Sequence, residues 1–330
     1  MYDISQELES KVITITGGGG YIGSALVNEL NKYPVKKIIR ISRKKIKPLN
    51  NIEDWILDLN DFSSWLKIVK KSDIIFHLSG NTSVTVADND PKNTLISEVL
   101  PITNLVKASK DLNRNPRVIY TSTATVYGLT EDFPITEKCI PIPITYYDSN
   151  KFQAEKQLEI ASNENVINSI SLRLANVYGP SLNESSSLDR GILSKITKLS
   201  FENKTIPLYG SGDYIRDYVY IDDVISSLLC ASVVSYKKIH QNLGLAFNVS
   251  SGKGVYVKTV FQMIAKEVEK ITGTNLKIKN VSWPSQVSEI EKRNFIGSAE
   301  RLKSLTGWSA KTSIEDGVHL LVKHYRKEYM

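Results

Sequence analysis

The first half of the chain alternates short apolar runs with longer stretches whose apolar residues recur at helical spacing. The short runs are rich in β-branched residues and almost continuously apolar, which is typical of strands covered on both faces. They predict strands at Lys11–Thr16, Lys36–Ser42, Trp55–Leu57, Asp73–Leu78, Arg117–Ser122 and Ser169–Leu174. Helices are predicted near Tyr21–Tyr33, Phe62–Lys70, Lys92–Leu112 and Tyr147–Asn163, the third broken or kinked near Leu100 by Pro101. The alternation indicates an α/β fold with a doubly wound parallel sheet.

The pattern changes after Gly179-Pro180, where serine, asparagine and charged residues replace the apolar runs. Shorter and more widely spaced strands follow, which indicates a smaller lobe. We therefore expect one domain over residues 1–180 and a second lobe mainly over 181–330, with segments near 205–250 returning to the main sheet. The second lobe is expected to carry a second ligand.

Composition narrows the class of protein. The 330 residues are 41% hydrophobic and 23% charged, as in ordinary globular proteins. No apolar run approaches the roughly 18 residues of a membrane span, and the acidic start does not resemble a signal peptide, so we expect a cytoplasmic protein without a membrane partner. Two cysteines and four scattered histidines predict neither a disulfide framework nor a metal site.

The net charge of +7 comes from one region. Eight basic residues and no acidic ones lie between Leu30 and Ile52, and without those eight the remaining charge is 7 − 8 = −1. A general affinity for nucleic acid is therefore not expected, and the cluster needs a local explanation.

A glycine-rich turn follows the first predicted strand. Gly17, Gly20 and Gly23 have the three-residue spacing that lets backbone N–H groups and a positive helix end approach a pyrophosphate. Because the turn lies at the first strand of an α/β pattern, it predicts a dinucleotide site rather than a merely structural loop.

The end of the second strand bears on which dinucleotide would bind. A carboxylate there accepts a free ribose hydroxyl, but this strand ends with Arg40, Ser42 and Arg43, which suit a 2′-phosphate. We therefore predict NADP(H), with NAD(H) possible and a merely solvated basic face as the alternative.

Tyr147 and Lys151 are four residues apart on a predicted helix, so the ammonium group should lie near the phenol. Moving a phenol from a pKa of ~10 to near 7 requires roughly 4 kcal/mol. One cation at ~4 Å supplies about that at an effective dielectric constant of ~20. The pair could thus serve as an acid–base catalyst, with the Thr123 hydroxyl directed at the same substrate oxygen.

With these motifs the chain resembles the extended short-chain dehydrogenase/reductases, NAD(P)-dependent enzymes of the nucleotide-sugar epimerase/dehydratase family, from Lys11 to about residue 320. The resemblance implies a Rossmann domain and the catalytic triad Thr123, Tyr147 and Lys151. It implies a nucleotide-sugar substrate contacted by Thr123, Asn176 and Arg216, the alternative for Arg216 being a simple pair with Asp217 or Asp222. It also implies a homodimer formed through the helices near Lys92–Leu112 and Tyr147–Asn163. Together with the strand-end residues, the expected cofactor contacts are Gly17, Gly20, Tyr21, Ile22, Gly23, Arg40, Ser42, Arg43, Asp58, Leu59, Leu78, Ser79, Gly80, Tyr147 and Lys151.

The chain also departs from the family pattern. Residues Thr123-Ala124-Thr125 lack the acid that dehydratases and decarboxylases carry there, and they look most like the 4-epimerases. Glu98 and Pro101 replace the usual Asn and Gly, and Thr82 stands where galactose epimerases often have Lys. The usual Arg-Pro-Gly-Asp is missing around Ser285–Lys292, where Arg293 and Asn294 could substitute.

Three hypotheses follow. The first is NADPH-dependent reduction of a 4-keto nucleotide sugar of the 6-deoxyhexose type, with Tyr147 as the acid. The second is a nucleotide-sugar 4-epimerase that uses the same residues. The third, a non-catalytic cofactor-sensing protein, is disfavoured because the chain has all three triad members.

Overall fold

The computed structural model describes residues 3–181, 191–235, 238, 244–285 and 287–330. Its strands are β1 Val12–Thr16, β2 Lys37–Ser42, β3 Ile52–Ile56, β4 Ile74–His77, β5 Arg117–Thr123, β6 Asn168–Leu174, β7 Asn176–Tyr178, β8 Ile206–Tyr209, β9 Ile215–Tyr220, β10 Ala246–Val249, β11 Gly254–Tyr256 and β12 Ile278–Val281. Its helices are α1 Ile4–Leu8, α2 Tyr21–Leu30, α3 Phe62–Lys71, α4 Val84–Asn89, α5 Pro91–Asp111, α6 Tyr146–Asn163, α7 Ile192–Phe201, α8 Ile221–Ser232, α9 Val257–Thr272, α10 Glu300–Thr306 and α11 Ile314–Tyr329.

Seven parallel strands form the main sheet in the order β3-β2-β1-β4-β5-β6-β10. The predicted α/β fold with a doubly wound parallel sheet is therefore confirmed. The order reverses between β1 and β4, so the segments that follow these two strands leave on opposite faces of the sheet and form a crevice where such sheets bind ligands.

Apolar residues on the two faces of the sheet form separate buried clusters. Along β5, Val118 and Tyr120 pack on the side of α3, α5 and α6, whereas Ile119 packs on the opposite side with residues of α2 and α8. Strands that are apolar on both faces have to be covered on both, which explains the near-continuous apolar runs in the sequence.

The helix break predicted near Leu100 is absent. Pro101 lies inside α5, and the helix runs without a break from Pro91 to Asp111. Pro101 is buried in this helix, which packs between α3 and α6. Tertiary packing of this kind can hold a proline-containing helix together despite the lost backbone hydrogen bond.

Two smaller sheets are formed by strands that follow β6 in the sequence. Strands β11, β9 and β7 form one, and β12 pairs with β8 in the other. Within the segment expected to return to the main sheet, β10 is one of the seven strands of that sheet, whereas β8 and β9 lie in the small sheets. The division into lobes at residue 180 stays a prediction. In the described part of the chain, no helix combines the length and apolarity needed to cross a bilayer.

A buried polar network fastens α6 to the far edge of the sheet. On β6, Arg173 forms an ion pair with Glu155 of α6 at 2.7 Å and donates to the Tyr127 hydroxyl at 2.9 Å. Tyr127 in turn donates to the side chain of Asn248 on β10 at 2.8 Å. Charge-assisted hydrogen bonds to β6 thus hold α6, the helix that carries Tyr147, in place.

Candidate active site and cofactor cleft

The glycine turn between β1 and α2 is closely packed. Gly17 has φ +68°, and a Cβ there would lie 2.8 Å from the backbone nitrogen of Ser79. A Cβ on Gly23 would lie 2.1 Å from the Gly17 carbonyl oxygen, so only glycine allows this approach of helix and turn. No side chain caps the amino end of α2, whose first residues are Tyr21 and Ile22. Its first N–H groups therefore fit the pyrophosphate of a dinucleotide.

The carboxyl ends of β1 and β4 are joined by one hydroxyl group. The Thr16 side chain lies 3.0 Å from the Ser79 hydroxyl and accepts the backbone N–H groups of Leu78 and Ser79 at 3.2 and 3.3 Å. These contacts place Leu78, Ser79 and Gly80 beside the glycine turn, at the crevice between the two strands. The predicted cofactor residues of β1, α2 and β4 are thus brought together.

At the end of β2, a carboxylate lies close to Arg40, which the sequence analysis did not expect. Arg40 is buried, and it donates two hydrogen bonds to Asp54 of β3, at 2.6 and 2.8 Å, and one to the Lys47 carbonyl at 2.8 Å. The sequence argument assumed no carboxylate near this strand end, but β3 supplies one because it pairs with β2 in parallel register. Ser42 and Arg43 lie just beyond, Ser42 half-buried and Arg43 exposed.

Asp58 and Leu59 follow β3 on the same edge of the sheet. The Asp58 side chain accepts the N–H of Asn60 at 2.9 Å, and the Leu59 carbonyl accepts the indole N–H of Trp65 at 2.8 Å. These bonds fix the turn next to the end of β2, where the adenosine half of a dinucleotide is expected.

The three triad residues come from the end of β5 and the start of α6. Thr123 is the last residue of β5 and is almost buried, Tyr147 is half-buried in the first turn of α6, and Lys151 is buried one turn later. The Lys151 ammonium donates to the Thr121 carbonyl at 3.1 Å and lies 4.9 Å from the centre of the Tyr120 ring.

Lys151 also has a partner that the sequence argument did not assign to it. Its ammonium lies 2.6 Å from a carboxylate oxygen of Glu98, and both side chains are at most 5% exposed. The carboxylate further accepts the Tyr120 hydroxyl at 2.7 Å and the N–H of Asn81 at 3.2 Å. Lys151 is therefore not the single isolated cation that the sequence argument placed beside the phenol, because its ammonium group belongs to a buried ion pair.

A carboxyl group from outside residues 123–125 lies next to the end of β5. The Thr125 hydroxyl donates to Asp148 of α6, and it lies 2.8 Å from the Thr123 hydroxyl. Asp148 also accepts the Thr145 hydroxyl at 2.7 Å, and burial raises the pKa of its carboxyl. The strand end itself carries no acid, as the sequence indicates, and the carboxyl that the fold brings to the Thr125 hydroxyl is fully buried.

Two arginines, Arg216 and Arg293, lie close to each other. Arg216 of β9 donates to the backbone carbonyls of Ile215, Glu291 and Arg293 rather than to Asp217, whose carboxylate accepts from Ser251, Gly252 and Gly297. The predicted alternative of an Arg216–Asp217 pair is not what the structure shows.

Arg293 is the less satisfied of the two. Its Nε atom is buried without a hydrogen-bond partner, and burial followed by the charge of Arg216 lowers its pKa to about 10. Tyr147 and Asp148 are among the groups that act on it electrostatically. The neighbouring Asn294 accepts the N–H of Ile215 at 2.9 Å, and Asn176 donates to the Asp217 carbonyl at 3.1 Å. Two adjacent guanidinium groups bonded mainly to carbonyls suit an anionic ligand.

The structure adds Asp54, Glu98, Asp148 and Arg293 to the candidate site. Glu98 and Arg293 stood out in the sequence as departures from the family pattern. Asp54 and Asp148 gave no signal, because only the strand pairing and the helix direction bring them to their partners.

Comparison with known proteins assigns the class. The described sheet, glycine turn and Thr–Tyr–Lys residues are those of an NAD(P)-dependent enzyme of the extended short-chain dehydrogenase/reductase type. A family model matches residues 13–244, and the chain belongs to the NAD dependent epimerase/dehydratase family.

Relatives with this fold are named for different reactions. The chain is 25% identical to dTDP-D-glucose 4,6-dehydratase of Mus musculus, over 97% of this chain and 90% of the relative. It is also 25% identical to dTDP-4-dehydro-6-deoxyglucose reductase of Escherichia coli, over 95% and 97% of the two chains. The structure of UDP-glucose 4-epimerase from Thermotoga maritima with UDP-glucose superposes with a TM-score of 0.82 at 28% identity, covering 97% and 100%. The specific reaction is not determined by this likeness.

Proposed function

We propose that the protein reduces the 4-keto group of a nucleotide sugar, of the NDP-4-keto-6-deoxyhexose type, with NADP(H) as the preferred cofactor. The observation that supports this proposal is the positively charged end of β2, which lies beside a cofactor cleft in a chain that has all three residues Thr123, Tyr147 and Lys151. Arg43 and Lys44 are exposed there, and the nearby Asp54 carboxylate is already bound by Arg40. Exposed cations suit a ribose 2′-phosphate, whereas a carboxylate engaged in two hydrogen bonds is poorly placed to bind a ribose hydroxyl.

The chain's own residues supply the acid. When bound, the reduced nicotinamide supplies a hydride to the keto carbon. Tyr147 donates its proton to the keto oxygen, and the Thr123 hydroxyl orients that oxygen. Lys151 holds a positive charge behind the phenol and is fixed by Glu98 and Thr121.

The diphosphate of the substrate is proposed to bind Arg216 and Arg293. Both guanidinium groups are largely buried, and burial lowers the pKa of each. An anion between them would relieve their mutual repulsion, and Arg293 would replace the missing family contact. Asn176, at the start of β7, would face the sugar.

The alternative reaction is 4-epimerisation of a UDP-sugar. It is favoured by the Ala-Thr-Val-Tyr-Gly stretch after Thr123 and by the 28% identity to a UDP-glucose 4-epimerase. The same residues would serve, with no net consumption of the cofactor.

The deciding experiment supplies dTDP-4-dehydro-6-deoxyglucose with NADPH or NADH, and separately UDP-glucose with each cofactor. We expect stoichiometric oxidation of NADPH with the keto sugar, at a higher kcat/KM than with NADH, and loss of turnover in Tyr147→Phe. Interconversion of UDP-glucose and UDP-galactose without net cofactor change would establish the epimerase instead. Binding of NADPH without turnover of either substrate, and full biological activity of Tyr147→Phe, would favour the cofactor-sensing alternative.

We also propose a cytoplasmic homodimer with a nucleotide-sugar-binding second lobe mainly over 181–330. Exposed apolar side chains on α4, α5 and α6, among them Val86, Leu95 and Ile160, provide a surface for a second copy. Sedimentation analysis should give twice the 37.0 kDa mass of the chain, and Ile160→Lys should shift it to the monomer.

A further inference from the structure

Three side chains form a continuous hydrogen-bonded chain from the core to the reacting centre. Asp148, fully buried in α6, accepts the Thr125 hydroxyl, which lies 2.8 Å from the Thr123 hydroxyl. The backbone N–H of Thr125 also donates to the Thr123 oxygen, at 3.2 Å. The far carboxylate oxygen of Asp148 accepts the Thr145 hydroxyl at 2.7 Å.

We propose that Asp148 is a positioning residue whose protonation state sets the direction of every hydrogen bond in this chain, and so decides whether Thr123 can donate to the substrate oxygen. The inference rests on the proposed function in one respect, namely that Thr123 faces the reacting oxygen.

The ionised carboxylate fixes one direction. A carboxylate only accepts, so Thr125 and Thr145 must both donate to it. A hydroxyl group has a single hydrogen, and that of Thr125 is then committed to Asp148. Thr123 must therefore donate to Thr125, which leaves only its oxygen lone pairs for the substrate. Such a group cannot stabilise a keto oxygen that is gaining negative charge.

The protonated carboxyl reverses the direction. Its O–H donates to the Thr125 oxygen, Thr125 donates to Thr123, and the Thr123 hydrogen becomes available to the substrate. Tyr147 and Thr123 then both donate to the keto oxygen, which is the arrangement that favours reduction. Asp148 takes up one proton from the solvent, and each hydroxyl only rotates its hydrogen from one neighbour to the other.

The surroundings of Asp148 place its titration above the ordinary range. Burial is the largest influence and raises the pKa, and the charge of Glu291 acts in the same direction. The hydroxyl groups of Thr125 and Thr145 and the charge of Arg293 oppose the rise without cancelling it. Capping of α6 does not require the carboxylate, because the Thr145 hydroxyl oxygen accepts the N–H of residue 148 at 3.2 Å.

The first test is the pH profile of keto-sugar reduction, measured with dTDP-4-dehydro-6-deoxyglucose and saturating NADPH. In the wild type, kcat should rise at least about tenfold as the pH falls through the Asp148 titration, the effect of gaining one hydrogen bond to a developing charge. Asp148→Asn should abolish the rise and stay near the low-pH rate, because its amide N–H always donates to Thr125. Thr125→Val should also flatten the profile, and Thr125→Ser should restore it.

Asp222→Asn is the matched control, because burial also raises the pKa of Asp222, which lies in α8 outside the chain of hydroxyl groups. Its profile should equal that of the wild type. Any titration of Tyr147 is shared by all these variants, so differences between them isolate Asp148. An Asp148→Asn enzyme that reduces the keto sugar with the wild-type profile would overturn the inference and leave the proposed function standing.

The second test needs no substrate. Carbon-13 NMR of aspartate-labelled protein, with Asp148→Asn assigning the signal, should show Asp148 titrating above the ordinary range for aspartate. Thr123→Val should move the midpoint to higher pH, because the chain that stabilises the carboxylate is shortened. If the titration midpoint of Asp148 does not change in Thr123→Val, or if its carboxylate stays ionised throughout the pH range, the inference is refuted even if no nucleotide sugar is turned over.

Discussion

The ion pair between Glu98 and Lys151 should dominate the stability of the site. The two charged atoms are 2.6 Å apart and almost fully buried. Removing one partner leaves the other charge buried and uncompensated, which typically costs about 3–5 kcal/mol of unfolding free energy. Glu98→Gln can still accept the Tyr120 hydroxyl, and Lys151 keeps the Thr121 carbonyl, so we expect the lower end, about 3 kcal/mol.

A double-mutant cycle measures the pair directly. Lys151→Met should also cost about 3 kcal/mol, and the double variant no more than either single one, because neither charge remains uncompensated. The coupling energy is then about 3 kcal/mol. Urea unfolding followed by tryptophan fluorescence gives these values without any substrate.

The matched control is the exposed pair between the same two helices. Lys110 of α5 and Glu164 at the end of α6 are 2.8 Å apart, with both side chains 52% exposed. Its coupling energy should be below about 1 kcal/mol. If the costs of Glu98→Gln and Lys151→Met simply add, as expected for the control pair, the buried ion pair contributes nothing beyond a solvated one and the reasoning fails.

Three further predictions follow from the site. Gly23→Ala should abolish NADPH binding in a fluorescence titration, because the new Cβ would lie 2.1 Å from the Gly17 carbonyl oxygen. Gly273→Ala, at the end of α9, strains a backbone with φ +71° but meets no atom within 4 Å, so it should lower stability and still bind NADPH normally. Burial raises the pKa of Asp217 from 3.8 to about 6, so its own contribution to folding stability is fully present below pH 3.8 and falls by about 3 kcal/mol as the pH rises through 6. The difference in urea unfolding between the wild type and Asp217→Asn, which lacks this titration, should show that fall. Arg293→Met should weaken binding of UDP-glucose about tenfold or more in calorimetry and leave NADPH affinity unchanged.

Local patterns in the sequence were sufficient for the sheet. Each parallel strand is a short apolar run and each covering helix has a 3.6-residue period, so β1, β2, β4, β5 and β6 lie within one or two residues of their predicted positions. The third strand lies earlier than predicted, at Ile52–Ile56, because Glu53 and Asp54 make this edge strand more polar than the inner ones. A polar edge strand has no apolar run to reveal it.

The electrostatics of the site were not accessible from the sequence. Arg40 and Asp54 lie on neighbouring strands, Lys151 and Glu98 on neighbouring helices, and Thr125 and Asp148 on a turn and a helix. Each charge was visible, but its partner depends on the register of β2 with β3 and on the packing of α5 against α6. Sequence spacing predicts pairs within one helix and carries no information about pairs between elements.

The adjacent guanidinium groups of Arg216 and Arg293 have a kinetic consequence under the proposed function. Substrate and product would carry the same pair of phosphates, so the arginines would hold both equally well. An affinity that is the same for substrate and product lowers KM without accelerating the chemical step. Free nucleoside diphosphate would bind the same two arginines and act as a competitive inhibitor, and the finished nucleotide sugar would compete with the substrate in the same way.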